Sequence, residues 1–327
     1  MSDTCTLGVD IGATKVAAGL VDASGEILCQ TRVPMVGHED AAAGFRAVES
    51  AIRAVFADRP DETAAGRLAG IGVCSPGPLD PRSGIVLNPP NLPCWRNYPL
   101  AAELHRAFRI PVHLDNDANA AALAEAVWGE AKGFRYVFYA TLGTGIGTGI
   151  VIDRQIYHGR TGSAAEGGHM TIDFRGPQCA CGKRGCIEAL ASGPAIAQRA
   201  RQRLAEPRAA KSKMAELAGG DPARLTAETV GEAFRKGDAL ASEVLLETAE
   251  LLAIWLGNVI DLLEPEVIVF GGGVAALMSA FLGHIRAQLP RWSINPRAQE
   301  IPLLLGRYGA DAGIAGAAAL CAANSAI

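Results

Sequence analysis

One histidine and three cysteines, His169, Cys179, Cys181 and Cys186, fall within the segment "EGGHMTIDFRGPQCACGKRGCIE" of residues 166–188. An imidazole and three thiols are the donors that zinc takes in closed tetrahedral sites. Gly182 and Gly185 break the C-x-C-x₄-C run and let the chain fold back around an ion. With all four positions filled by protein, such a zinc would be structural and would not activate water. A zinc finger that reads nucleic acid needs a second histidine pair and a recognition helix, and the spacing offers neither. Glu166 and Glu188 bracket the cluster. They are either solvated surface residues or, beside the spare ring nitrogen of a metal-bound His169, the walls of a pocket for a hydroxyl-rich molecule such as a sugar.

A second group is "LDNDANA", with Asn116 and Asp117 at a strand end just before a helix, the place where ligands bind in α/β folds. There Asp117 could accept the proton of a hydroxyl attacking a phosphoryl group; the alternative is that it only caps the helix while Asp115 serves a turn. A third group is a matched pair of glycine turns. "DIGATK" (Asp10 to Lys15, with Gly12 and Thr14) and "LGTGIGTG" (with Gly143, Thr144, Gly145 and Gly147) each set small residues between two strands. Backbone amides in such turns converge on an anion, and Asp10 beside the first is placed to hold Mg²⁺ through water. Either one alone reads as a plain hairpin sooner than as a phosphate site, but their occurrence in both halves favours phosphate binding. "GGGVAA" (Gly271, Gly272, Gly273 onward) matches G-x-G-x-x-A, yet "RWSINP" stands where a dinucleotide site needs its acidic residue.

These groups sit on an alternating α/β pattern. "TLGVDIGATKVAAGLVDASGEILCQTRV" reads as three strands with tight turns, followed by a helical period through Ala42, Phe45, Val48, Ile52 and Val55. Strands over "RLAGIGVCS" and "IPVHLDND" and a helix capped by Asp117 complete a first half; "SPGPLDPRSGIVLNPPNLPCW" reads as loop. "YVFYATLGTGIGTGIVIDRQIYHG" repeats the opening strand–turn–strand device, which indicates internal duplication. Helices follow, then the strand "EVIVFGG", a short strand "IPLLLG" and an alanine-rich buried helix.

The chain has 327 residues, net charge −4 and no dense run of lysine and arginine, which speaks against a nucleic-acid partner. No signal peptide and no apolar run long enough to span a membrane is visible, so the expected location is cytoplasmic and the thiols reduced. Cys5, Cys29, Cys74, Cys94 and Cys321 are scattered singly and read as packing residues.

Taken in order, "DIGATK", "LDNDANAAALAEAVWG", "LGTGIGTGIV", the His/Cys segment, "IVFGGG" and "AGIAGAAAL" resemble the ROK family of bacterial sugar kinases and repressors, in the actin/hexokinase-like superfamily. The resemblance implies a duplicated, ribonuclease H-like α/β fold of two lobes with an interlobe active cleft. It places 1–117 plus about 308–327 in a small lobe and 118–307 in a large lobe with the zinc site. It implies transfer of the ATP γ-phosphate to the 6-hydroxyl of a hexose, glucose first. N-acetylglucosamine, N-acetylmannosamine or a broader hexokinase or fructokinase range are the alternatives. Asp117 would be the base, and Asn116, Glu166, His169 and Glu188 would hold the sugar. Asp10, Gly12, Thr14, Lys15, Gly143, Thr144, Gly145 and Gly147 would cradle ATP and Mg²⁺, with Gly271, Gly272 and Gly273 near the adenosine. His169, Cys179, Cys181 and Cys186 would bind zinc, and the assembly would be a homodimer or homotetramer. A sugar-sensing repressor would carry a helix-turn-helix ahead of the kinase-like part; only nine residues precede Asp10, so the enzyme is expected. Ala13 stands where the family often has glycine, and Thr148 interrupts the second glycine run; both should alter nucleotide affinity without abolishing it.

Overall fold

A computed structural model of the chain describes residues 4–35, 40–64, 66–206 and 212–324. Residues 1–3, 36–39, 65 and 325–327 of the expected small lobe and 207–211 of the expected large lobe lie outside them. In chain order the strands and helices begin with β1 (Cys5–Ile11), β2 (Lys15–Val21), β3 (Ile27–Pro34), α1 (Ala41–Asp58), β4 (Leu68–Ser75), β5 (Leu79–Asp80), β6 (Ile85–Val86), α2 (Leu100–Phe108), β7 (Val112–Asn116) and α3 (Asp117–Val127). They continue through β8 (Tyr136–Leu142), β9 (Ile146–Ile152), β10 (Gln155–Ile156), α4 (Ile187–Ala191), α5 (Gly193–Leu204), α6 (Lys213–Leu217), α7 (Ala227–Arg235) and α8 (Ala239–Leu263). The chain closes with β11 (Val267–Gly271), α9 (Gly273–Met278), α10 (Leu282–Gln288), β12 (Leu303–Leu305) and α11 (Ala312–Asn324).

Among the described residues ten of the strands form two five-stranded sheets, ordered β3-β2-β1-β4-β7 and β10-β9-β8-β11-β12, and β5 pairs with β6 alone. Each sheet thus sets its third, second, first, fourth and fifth strands side by side, the duplication foreseen from the repeated strand–turn–strand device. Two compact units result: Met1–Tyr139 with Gly149–Ala165 and Gly306–Ile327, and Ala140–Thr148 with Glu166–Leu305. The chain passes from one unit to the other within β8 and again within β9.

In the first unit β1 is buried almost throughout, with both faces covered, as expected for a strand that reads as a continuous apolar run. Leu7, Val9 and Ile11 share a core with Val48, Ile52 and Val55 of α1. The sheet also carries Gly8 and Gly72. A Cβ on Gly72 would stand 1.7 Å from the Ala317 carbonyl oxygen and one on Gly8 2.0 Å from that of Ile314, so α11 lies directly on the strands. This contact explains why "AGIAGAAAL" is built of small residues with no polar stripe: Ile314, Ala315 and Ala317 to Ala319 are all buried.

The second unit is mostly helical. Asp238 starts α8 by accepting from the Ala241 amide, and α8 ends where Glu264 turns left-handed before Pro265. Among the described residues no helix is long and apolar enough to cross a membrane.

Candidate functional site

In the first unit strand register fixes the chemistry. Asp10 pairs with Cys74 across β1 and β4, and Cys74 with Asp115 across β4 and β7; Ser75 and Asn116 form the next row. The turn after β1 is closed by the Gly12 amide donating to the Lys15 carbonyl at 2.9 Å, with Thr14 and Lys15 exposed. Ala13 has no left-handed backbone angle, so the residue that departs from glycine adds no strain there. Cys74, expected to be a packing residue, is buried but also donates from Sγ to Asp10 Oδ1 (3.5 Å), while burial holds its thiol pKa well above the ordinary range. Burial likewise raises Asp10, against the Cys74 hydrogen bond and the charges of Lys15 and Arg32.

Asp117 was expected as the cap of α3; the cap is Asn116. Its Oδ1 accepts from the amides of Ala118 (2.9 Å) and Asn119 (3.3 Å), and Asp117 is the first helical residue. Asn116 alone satisfies two of the free amides of that turn. The Asp117 side chain stays exposed, and its Oδ1 takes a share of the Ala118 amide at 2.8 Å. Desolvation by the surrounding protein pushes its pKa up to about 6, with the charge of Asp10 adding to the rise and the hydrogen bonds opposing it. A carboxylate poised there is ionised at neutral pH yet basic enough to take a proton from a hydroxyl as it attacks.

In the second unit His169, Cys179, Cys181 and Cys186 come together, their donor atoms all within 4.8 Å of one another. Cys181 Sγ lies 3.7 Å from Cys186 Sγ, and His169 Nδ1 lies 3.7 Å from Cys179 Sγ. Tetrahedral ligands at zinc–sulfur and zinc–nitrogen distances of about 2.3 and 2.0 Å would stand roughly 3.5–3.8 Å apart. The donor set and its spacing therefore fit such an ion. Desolvation, aided by the neighbouring thiols, pushes Cys186 up to about 12, so its thiolate needs a cation to form. Gly182 and Gly185 both take positive φ, and Gly185 also packs on the Asp173 carbonyl, which makes the fold-back that the spacing indicated.

Glu188 joins this cluster to the second glycine turn. Its Oε1 lies 3.8 Å from His169 Nδ1, and its Oε2 accepts from the Ile146 amide at 2.9 Å. Thr148, which interrupts the glycine run, has a job of its own: its buried Oγ1 accepts from the Gly167 amide at 2.8 Å and fixes the Glu166–His169 turn. Trp255 holds the same turn from α8, donating to the Gly167 carbonyl at 3.1 Å. The Glu166 side chain is exposed at the start of this turn. Gly143 accepts from the Gly193 amide at the start of α5, and Gly272 lies against the Leu142 carbonyl. Two of the glycine segments read as nucleotide contacts are thus neighbours. Thr144 is exposed beside them.

Two mixed sheets in duplicate, a carboxylate at a strand–helix junction and a four-donor His/Cys cluster define the actin-like two-lobe class. The sequence profile of the ROK family matches residues 6–324, and the chain belongs to that family. It is similar to the glucokinase of Thermotoga maritima, 34% identical over 318 residues that cover 96% of each chain. It is also similar to the xylose repressor of Caldicellulosiruptor bescii, 30% identical over 292 residues, covering 89% of this chain and 70% of the repressor. Among solved structures, a ROK family glucokinase from Streptomyces griseus in complex with glucose and AMPPNP superposes with a TM-score of 0.80. It is 33% identical, with 97% of this chain and 98% of that one covered.

Proposed function

We propose that the chain is an ATP-dependent sugar kinase that transfers the γ-phosphoryl group to the 6-hydroxyl of a hexose, glucose first. The observation that carries it is Asp117: a carboxylate at the end of β7, relieved of capping by Asn116 and raised to about 6. Similarity to glucokinases across nearly the whole chain supports the reading. Asp117 takes the proton of the attacking hydroxyl, and Asn116, Glu166, His169 and Glu188 hold the sugar. Asp10, Gly12, Thr14, Lys15 and the Gly143–Gly147 turn receive the ATP phosphates and Mg²⁺, which would neutralise charge developing on the transferred group. Gly271 to Gly273 lie toward the adenosine. His169, Cys179, Cys181 and Cys186 would hold a structural zinc that keeps His169 and, through it, Glu188 in place. A homodimer or homotetramer belongs to the same proposal and is checked by light scattering.

The test is ADP release from Mg-ATP with glucose, mannose, fructose, N-acetylglucosamine and N-acetylmannosamine. A kcat/KM for glucose at least tenfold above the rest, roughly 1.4 kcal/mol of discrimination, would support a glucokinase. Preference for an N-acetyl sugar would keep the mechanism and change the substrate. Sugar binding without turnover on any of them would overturn the kinase reading in favour of a sugar sensor.

A further inference from the structure

Behind Asp117 lies a buried pair that the proposed reaction does not yet use. Asp115, on β7, is only 3% exposed. Its Oδ1 accepts from the Asn116 amide (2.7 Å) and from Asn119 Nδ2 (3.0 Å), and its Oδ2 lies 2.6 Å from His158 Nε2. A carboxylate only accepts, so the imidazole donates there. Asp115 therefore grips the chain on both sides of Asp117: the residue before it through the backbone, and the first turn of α3 through Asn119. His158 follows β10 in a loop whose Gly159 and Arg160 carbonyls accept from the Arg82 guanidinium, at 3.3 and 3.2 Å. All of these groups belong to one compact unit.

We propose that His158 is a positioning residue for the reaction: acting through Asp115, it fixes the strand–helix junction that aims the Asp117 carboxylate. This rests on Asp117 being the base. The charge-assisted bond at 2.6 Å is of the strong kind, and loss of the His158 donor leaves a buried oxygen of Asp115 short of a partner. Asp115 is then free to rotate toward Asn116 or Asn119, and the junction moves with it. Displacement of a catalytic group by about 1 Å can cost 100-fold in rate. The sugar and nucleotide contacts need not change, so the effect should fall on kcat.

The structure also supplies a way to test position apart from folding. A cavity of ≈ 490 Å³, lined by Val112, His113, Asp115, Arg154, Ile156 and His158 among others, opens onto the pair. Small molecules can reach the space that a missing His158 ring would leave. The experiment compares His158→Leu, His158→Gln and His158→Ala with the unaltered chain under saturating glucose and Mg-ATP, with Asp117→Asn as reference. The expected result is a kcat lowered roughly 10- to 100-fold in the Leu and Ala variants with KM values within about threefold. Gln, which keeps a donor at similar reach, should recover most of the loss, and millimolar imidazole should raise kcat of the Ala variant without affecting the unaltered chain. If His158→Leu does not fold, the Gln variant and the imidazole response decide. Folded variants with normal kcat, or a loss that neither Gln nor imidazole restores, overturn the positioning role while an inactive Asp117→Asn leaves the proposed base intact. An Asp117→Asn chain that still turns over overturns the base itself and this role with it.

Discussion

The Asp117→Asn substitution tests the electrostatics of the site in both activity and stability. Desolvation by the surrounding protein raises the Asp117 pKa from 3.8 to about 6. A full shift of about 2 units is worth just under 3 kcal/mol at 1.36 kcal/mol per unit. The side chain is exposed, and solvent screening reduces that ceiling to about 1 kcal/mol. The sign follows from the raised value: folding favours the protonated acid, so this contribution is complete below pH 3.8 and is lost as pH rises through about 6. Asparagine carries no such charge. The variant should therefore melt about 1–2 °C above the unaltered chain at pH 8, with the gap closing to nothing near pH 4. In turnover it should lose roughly 100- to 10,000-fold as a base is removed. The unaltered enzyme should show kcat/KM falling tenfold per pH unit on the acid side of about 6. Because the charge of Asp10 adds to the rise, Asp10→Asn should move that acid limb to lower pH in whatever activity remains. Calorimetry from pH 4 to 8 and a coupled ADP assay provide both readouts. A melting difference that is independent of pH would refute the desolvation argument; activity of Asp117→Asn within tenfold of the unaltered chain would refute the base.

The other sites make separate claims. Cys181→Ala removes one of four converging donors, so zinc measured by elemental analysis should fall from one per chain to well below it after dialysis, with a lower melting temperature and weaker sugar binding. Retention of the metal and of sugar affinity would contradict a structural zinc that keeps His169 and Glu188 in place. A Cβ at Gly145 would stand 2.6 Å from Glu188 Oε2; Gly145→Ala should displace that carboxylate from the Ile146 amide and raise the sugar KM several-fold while the melting temperature barely moves. Gly72→Ala sets a methyl 1.7 Å from the Ala317 carbonyl oxygen, where a helix must retreat from a sheet. It should cost about 3 kcal/mol or more, seen as a fall of roughly 4–5 °C or more in melting temperature, and an unchanged melt would mean that α11 does not lie where the structure has it.

How far the sequence speaks depends on how local the determining interaction is. The sheets are legible because buried runs such as "LGVDI" and "IVFGG" need no partner to declare themselves, and two similar glycine turns reveal the duplication. The His/Cys cluster is legible because its cysteines lie within eight residues and zinc accepts few donor sets. The Pro/Gly-rich stretch read as loop contains the β5–β6 hairpin and the fully buried Trp95, stacked on Tyr98 at 5.3 Å. Those contacts depend on where distant side chains fall. Thr148 reads as an interrupted glycine run, because its partner, the Gly167 amide, is 19 residues away. Asp115 and His158 are 43 residues apart and gave no signal as a pair.

Asn116 and Asp117 mark the sharpest limit. Either residue type caps a helix well, and composition alone cannot say which of two adjacent residues is extended and which is helical. The φ of −68° and ψ of 148° at Asn116 decide it, and with it the chemistry. Were Asp117 the cap, the free amides of α3 would hold its carboxylate and lower its pKa, making it a poor base. With Asn116 as the cap, a neutral oxygen accepts from both the Ala118 and Asn119 amides, the Asp117 carboxylate shares the Ala118 amide, and desolvation outweighs that bond, so Asp117 keeps a charge that its surroundings resist. Exchanging the two side chains should test this division directly. The double variant Asn116→Asp, Asp117→Asn keeps the composition and a capping side chain. It should melt near the unaltered temperature yet turn over no faster than Asp117→Asn alone, because the exchanged carboxylate is held by the amides of α3. Turnover well above that of the single variant would mean that a capping carboxylate serves as the base, and the division of labour between the two positions would be wrong.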